Sequence, residues 1–365
     1  MSDLLNLRRE LLTPPGDDIQ ETIDAIGMSQ KELAERMDRP KEKINDLIKG
    51  REPVTMKTAI SLERVLGIPK TYWLTREQEY REQLADIETE EFLDSCIQWA
   101  KKFPLSVMKK MGWLSNTADK KQTCNELLQF FGIATPERWD YIYVQQKEVA
   151  VAFRASLAHV SAPEALSVWL RKGQLDMQQS KLPKYDKLAF KNKINDARDL
   201  AYMQPPNFAT ELQRICNQCG VALVYTPNLP KAPISGAARW IGANPLIQLS
   251  DRYKTNDRFW FTFFHEAGHI LKHGKKKIFL EGLDTSNTDM AMEAEADQFA
   301  ADCLIPHQEY RRMLDEVTTT EDLEAFADEI KMHPGIVIGR LQYEEKINFS
   351  QFNEYKIKIN LFDNT

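Results

Sequence analysis

The sequence contains no apolar run approaching the length of a membrane span, and its first residues, MSDLLNLRRE, lack the apolar core of a secretory signal. A cytoplasmic protein with no membrane partner is expected. Cysteine is sparse: there are five in 365 residues, an odd number. Cys216 and Cys219 form a lone CxxC with no second pair to complete a zinc knuckle. Reduced thiols are the simpler reading, with Cys216 on the apolar side of a helix. An excess of positive charge is also missing. The formal net charge is -6, which argues against general coating of nucleic acid but leaves room for a small, locally basic reading module. No repeat or low-complexity segment appears. What is present is a globular composition, 42% apolar and 28% charged, in a chain too long for one ordinary core. Two or three domains are expected.

The stretch FWFTFFHEAGHILKH, residues 259–273, carries the clearest chemistry. Two histidines four apart, His265 and His269, share one face of a helix and can hold a single metal ion. Glu266 then sits beside the open side of that ion, placed to take a proton from water. HExxH is short and arises by chance, so its flanks matter. Phe259, Trp260, Phe261, Phe263 and Phe264 would bury this helix, and Gly268 leaves room for another backbone.

The N-terminal part reads as a series of short helices. Little periodicity precedes Pro14, Pro15 and Gly16. Asp17 or Asp18 can cap a helix bearing Ile19, Ile23 and Ile26, which Gly27 ends. Ser29 with Glu32 makes a capping box for SQKELAERM, and KEKINDLIKG follows with Ile44, Leu47 and Ile48 inward. A further helix runs from about Met56 to Leu66. Two short helices joined by a tight turn suit a helix-turn-helix, whose second helix would enter the major groove. On that helix Lys41, Lys43 and Asn45 face outward. Asn45 can pair with adenine, Lys43 can reach a guanine edge or a phosphate, and Lys49 and Arg51 can meet the backbone. Spacing alone equally allows a helical bundle with a solvated charged face.

The order PGDDIQETIDAIGMSQKELAERM, then INDLIKGREPVTMKTAISLERVLGIPKTYWL, resembles the XRE-type helix-turn-helix family, especially its HigA-like antitoxin branch. The likeness covers about Pro15 to Tyr80. It implies binding to a double-stranded DNA operator, as a homodimer on inverted repeats. RPKEKIN stands where the family often has small hydroxyl residues.

From about Thr75 to Ala100 the charged, periodic sequence reads as a connecting helix. A mostly helical region follows, divided by proline and glycine, with Phe130, Phe131, Trp139, Trp169 and Leu170 as core candidates. Its single histidine, His159, has no metal-ligand companion and reads as structural. Near Phe208 the character changes. FATELQRICNQCG is a helix, VALVYTPN a strand, and ISGAARWIGANPLIQLS two strands joined around Gly242 to Pro245. Asn256 or Asp257 is a plausible cap for the HExxH helix. An exposed strand edge before it could bind an extended peptide.

Zinc needs a third protein ligand. His273, Glu281, Asp284, Asp289, Glu293 and Glu295 are the candidates. An undistorted helix carries the alpha carbon of His273 about 12 Å from that of His265, too far for a compact site. MAMEAEADQFAADCLIP is better, a second helix on which Glu293 and Asp297 lie four apart. Glu293 is then the expected ligand and Asp297 a group that orients a zinc histidine. Glu295 would point elsewhere, as a capping or salt-bridge group. After Pro306, His307 reads as a surface residue. His333, before Pro334, either caps the last helix or donates to a tetrahedral intermediate. FNEYKIKINLF could end the chain as a strand or helix on the core.

HEAGH at 265–269 and EAEADQFAADCLIP at 293–306 resemble the two signatures of the ImmA/IrrE metallopeptidase family, over about Ile215 to Arg340. The resemblance implies Zn2+ on His265, His269 and Glu293, with Glu266 as catalytic glutamate; Asp297 falls where the family has Asn or Asp. The expected whole is multidomain: a helix-turn-helix domain at 1–78, a helical connecting region at 79–206 and an α+β, zincin-like domain at 207–365. In the family such a peptidase relieves repression by cutting a helix-turn-helix repressor. A DNA-binding regulator that cleaves itself or a partner protein is therefore expected. One competing reading is a non-catalytic, antitoxin-like repressor whose metal domain senses a signal or grips a toxin. Another is a metal-stabilised structural protein.

Overall fold

The computed structural model describes residues 2–145, 162–275, 279–280 and 287–362. His159, Glu281, Asp284 and the side chain of Asp289 lie outside the described residues. The chain divides into two compact units, Met1–Gln98 with Thr117–Asn125, and Trp99–Asn116 with Glu126–Thr365.

The first unit is helical: α1 (Ser2–Glu10), α2 (Pro15–Ala25), α3 (Gln30–Arg36), α4 (Lys41–Ile48), α5 (Met56–Leu66) and α6 (Lys70–Ala100). Ile19, Ile23, Leu33, Ile44, Leu47, Leu62 and Trp73 form its core. α1 is a helix where the sequence shows little periodicity. Leu5 is buried, while Arg8 and Arg9 pair with Glu90 and Glu91 of α6 at 2.6 and 2.9 Å. Local caps differ from expectation. Pro14, not Asp17 or Asp18, is the N-cap of α2, and Asp18 instead pairs with Arg76 at 2.7 Å. Ser29 caps α3 by accepting from the Glu32 backbone N–H, but the Glu32 carboxylate turns to Arg36 at 2.7 Å rather than closing a capping box. α6 begins at Lys70, so the expected boundary at residue 78 falls inside one continuous helix.

In the second unit, α7 (Leu105–Lys110), α8 (Lys120–Phe131, shared with the first) and α9 (Pro136–Trp139) precede a π-helical turn, Asp140–Gln145. Phe103, Phe131, Trp139 and Tyr143 pack edge-to-face or stacked here. Then come α10 (Pro163–Gln179), α11 (Lys187–Met203), α12 (Phe208–Gln218), β1 (Ala222–Tyr225), β2 (Gly236–Ile241), β3 (Asn244–Leu249) and α13 (Asn256–Lys272). The remainder is β4 (Phe279–Leu280), α14 (Asn287–Leu304), α15 (His307–Glu316), α16 (Thr320–Glu329) and α17 (Pro334–Tyr343).

The four strands form a mixed sheet in the order β1-β3-β2-β4, with β1 parallel to β3 and the other pairs antiparallel. Gly242, with φ of 63°, turns β2 into β3. β2 is not a free edge, because β4 covers Ala237 and Ala238.

α10 packs on the sheet through buried polar contacts. Trp169 Nε1 donates to the Thr226 carbonyl at 3.2 Å, and Gln248 Nε2 donates to the Trp169 carbonyl at 2.7 Å. Phe190, Ile194 and Leu200 of α11 share one core with Trp260, Phe263 and Phe264 of α13. Residues 163–203, expected from sequence to be connecting scaffold, thus pack on the C-terminal elements: Met177 of α10 against Ala222, Val224 and Leu246 of the sheet, and α11 in the core with α13. The expected division at 206/207 falls between α11 and α12, which pack on each other. The tail ends in a short 3-10 turn, Asn353–Tyr355, and a bridge from Lys358 to Thr255, with Ile359 buried.

Candidate metal centre and candidate DNA-reading helix

α13 is buried along nearly its whole length because aromatic residues fill the faces that do not carry chemistry. Thr255 is its N-cap, without a side-chain hydrogen bond; neither Asn256 nor Asp257 caps it. Asn256 is fully buried, and its Oδ1 accepts from the Ile357 N–H at 3.2 Å. Asp257 pairs with Lys356 at 2.7 Å. Both residues therefore serve to hold the C-terminal segment.

Gly268 lets α14 approach closely: a Cβ there would meet Phe299 Cδ1 at 3.0 Å and Ala296 Cα at 3.3 Å. That contact brings Glu293 over the two histidines. Its Oε2 is 3.1 Å from His265 Nε2 and 3.4 Å from His269 Nε2, and the two Nε2 atoms are 2.9 Å apart. Among the described residues this is the group whose donor atoms converge, all within 4.8 Å.

The donor chemistry fits a divalent ion. Burial pushes His269 down to about 4, so its imidazole is neutral at physiological pH. Burial alone would raise the Glu293 carboxyl, but hydrogen bonds from His265 and His269 outweigh it and bring it down to about 2. Two histidine nitrogens and an ionised carboxylate are a donor set that suits a divalent ion.

The residues behind the cluster are equally ordered. Asp297 Oδ1 lies 2.8 Å from His265 Nδ1, so the cluster histidine it faces is the first of the two. Glu266 is fully buried beneath β2. A Cβ at Gly236 would come within 2.8 Å of Glu266 Oε1 and 2.7 Å of Thr262 Cγ2. Gly236 is thus a site residue that sequence reading missed. Its signal would have been a glycine opening a strand that crosses the HExxH helix. His273 and Glu295 were also missed as a pair, at 3.3 Å.

His333 stands elsewhere. Its Nδ1 accepts from the Gly335 N–H at 3.1 Å and lies 3.1 Å from Asn256 Nδ2. Asn256 precedes Glu266 by ten residues on α13, a rise of about 15 Å. His333 caps α17 beside the first turn of α13, the first of the two roles its sequence position allowed, and stands away from Glu266 rather than beside it as a donor to a reacting carbonyl would.

In the first unit α4 lies against α2 and α3. Lys41, Lys43, Lys49 and Arg51 are exposed and Asn45 is half-buried. Two of these cations already have partners. Lys43 pairs with Glu52 at 3.0 Å and Arg51 with Asp46 at 3.5 Å. Glu52 also meets Arg39 at 3.5 Å, a residue outside the sequence-based set.

Residues 216–342 match a peptidase family model described as the IrrE N-terminal-like domain. Residues 19–73 match a helix-turn-helix model. No curated protein matches the chain. No helix among the described residues is long and apolar enough to cross a membrane. The chain therefore joins an XRE-like helix-turn-helix module to an IrrE/ImmA-like peptidase domain.

Proposed function

We propose that this helix-turn-helix and IrrE-like chain is a DNA-binding regulator whose second module is a zinc-dependent endopeptidase acting on a regulatory protein, itself or a partner. The observation that carries the reading is the convergence of His265, His269 and Glu293 with Glu266 buried beside them. The small sheet over α13 and the return of α14 beneath it support a zincin-like arrangement.

His265 and His269, through Nε2, and Glu293, through a carboxylate oxygen, would hold the ion. When bound, zinc supplies Lewis acidity and brings the acidity of a water into the physiological range. Glu266 accepts the proton of the attacking water and delivers it to the departing amine nitrogen as the peptide bond breaks. Its burial keeps bulk water from competing for that proton. Asp297 holds the His265 ring so that Nε2 faces the ion. The helix-turn-helix gives this chemistry an address: Lys41, Lys43, Asn45, Lys49 and Arg51 would meet operator DNA.

Metal analysis of dialysed protein tests the centre. One equivalent of zinc is expected in the wild type and in Glu266→Gln, and much less in His265→Ala, His269→Ala and Glu293→Ala. Glu266→Gln should lose cleavage by about 10²- to 10⁴-fold while keeping zinc and operator binding. Cleavage retained in Glu266→Gln would remove Glu266 from the chemistry, and identical protein patterns with the wild type and the variant would instead favour a non-catalytic regulator.

A further inference from the structure

Asp297 orients one of the two ligand histidines; the other faces a different pair. His269 Nδ1 lies 3.0 Å from His273 Nδ1, and His273 Nε2 lies 3.3 Å from Glu295 Oε2. The three rings step along one face of α13 with centroids 4.6 and 5.1 Å apart. The His273 side chain is only 7% exposed, whereas Glu295 is 61% exposed, so the row runs from the buried cluster to the surface. His273 is also the residue at which α13 ends, in an extended conformation with its backbone N–H still bound to the His269 carbonyl.

Proton placement along this row follows from the cluster. With Nε2 of His269 turned to the ion, that nitrogen keeps its lone pair and the ring proton sits on Nδ1. Two ring nitrogens at hydrogen-bond distance need one donor and one acceptor, so His273 Nδ1 accepts. The Glu295 carboxylate is an acceptor, so His273 Nε2 carries the proton that faces it.

We propose that His273 and Glu295 form a tether that fixes the ring orientation and tautomer of His269, as Asp297 does for His265. His273 is a positioning residue here, not a ligand; its nitrogens lie outside the convergent group. The two arms leave α14 two residues apart, at Glu295 and Asp297, and so reach different histidines of α13. The proposal rests on the metal centre described under Proposed function. A carboxylate-backed acceptor behind a ligand imidazole raises its basicity and holds its lone pair on target, and losing such a partner typically weakens metal binding about 10- to 100-fold.

The test uses the full chain and zinc itself, with a chelator of known affinity as competitor. His273→Phe, which removes the acceptor, is expected to weaken zinc binding about 10- to 100-fold. His273→Gln, whose side-chain oxygen can accept from His269, should recover most of that loss, and Glu295→Gln should fall between. Glu295 is exposed, so that variant keeps the question answerable if His273→Phe does not fold. Imidazole 15N spectra of the zinc-loaded wild type should show His273 protonated on Nε2 and His269 on Nδ1, a signature that a packing role alone would not produce. Unchanged zinc affinity in folded His273→Phe or in Glu295→Gln, or His273 protonated on Nδ1, contradicts the tether alone, provided that the wild type binds zinc. A wild type that holds no zinc contradicts the tether and the metal centre together.

Discussion

At Gly236 a single added carbon would occupy the space that the Glu266 carboxylate uses. Gly236→Ala should therefore reduce cleavage by about 10²-fold, the usual effect of misplacing a reacting group by about 1 Å. Zinc content should stay at wild-type level, because neither histidine nor Glu293 is among the atoms it meets. Parallel loss of zinc and activity would show that Gly236 supports the fold and not the carboxylate. His333 offers a prediction of a different kind. Burial lowers its imidazole below the ordinary 6.5. Above that value both folded and unfolded chains hold it neutral. Below it the unfolded chain binds the proton first, so stability falls as pH drops from 6.5 through the lower folded value. Protonation also removes the Nδ1 acceptor that caps α17. His333→Asn keeps a capping side chain without the titration. Urea midpoints at pH 7.5 and 5.5 should drop further in the wild type than in the variant; equal drops would refute this assignment.

Helices α13 and α14 show what short-range sequence can and cannot convey. HEAGH, its aromatic flank and Gly268 are local features, and the structure uses Gly268 for the close helix contact they suggest. Gly268→Val should separate the helices, with overpacking costs of about 1–3 kcal/mol, and weaken zinc binding by drawing Glu293 away. A wild-type zinc affinity in this variant would contradict that coupling. Asn256 misled because its carbonyl oxygen is taken by Ile357, a partner that no capping rule near residue 256 can see. α1 was missed for the same reason, since the carboxylates facing Arg8 and Arg9 are 82 residues away. Helix length sets His273 apart as a ligand, and its nitrogens lie outside the convergent group. The same four-residue step that joins His265 to His269 also sets His273 beside His269, a consequence readable in principle and overlooked. Beside α4, Glu52 holds Lys43 and Arg39 away from full availability to phosphate. Glu52→Gln should tighten binding to non-specific duplex DNA and steepen its salt dependence by about 0.9 for each cation released. An unchanged slope would mean that neither cation reaches the backbone.

For the whole chain, the two units were legible as separate chemistries: a run of capped short helices at one end and a buried HExxH helix at the other. Their limits were less so. Trp73 anchors the first core from within α6, while α11 completes the second core and α10 packs Met177 on the sheet, both from a region whose sequence shows only amphipathic helices. Such helices look alike whether they link domains or cover a sheet, because burial depends on what they meet and not on their period alone. At this scale the proposal is that a DNA-reading chain cuts peptide bonds through Glu266. The direct measurement is mass-spectrometric detection of new protein N-termini in cells carrying the wild type or Glu266→Gln at equal levels. A small set of cleavages in regulatory proteins, or in this chain, present with the wild type and absent with the variant, is the predicted result. Identical N-termini in both, from protein shown to carry zinc under conditions where the regulated genes respond, would contradict it.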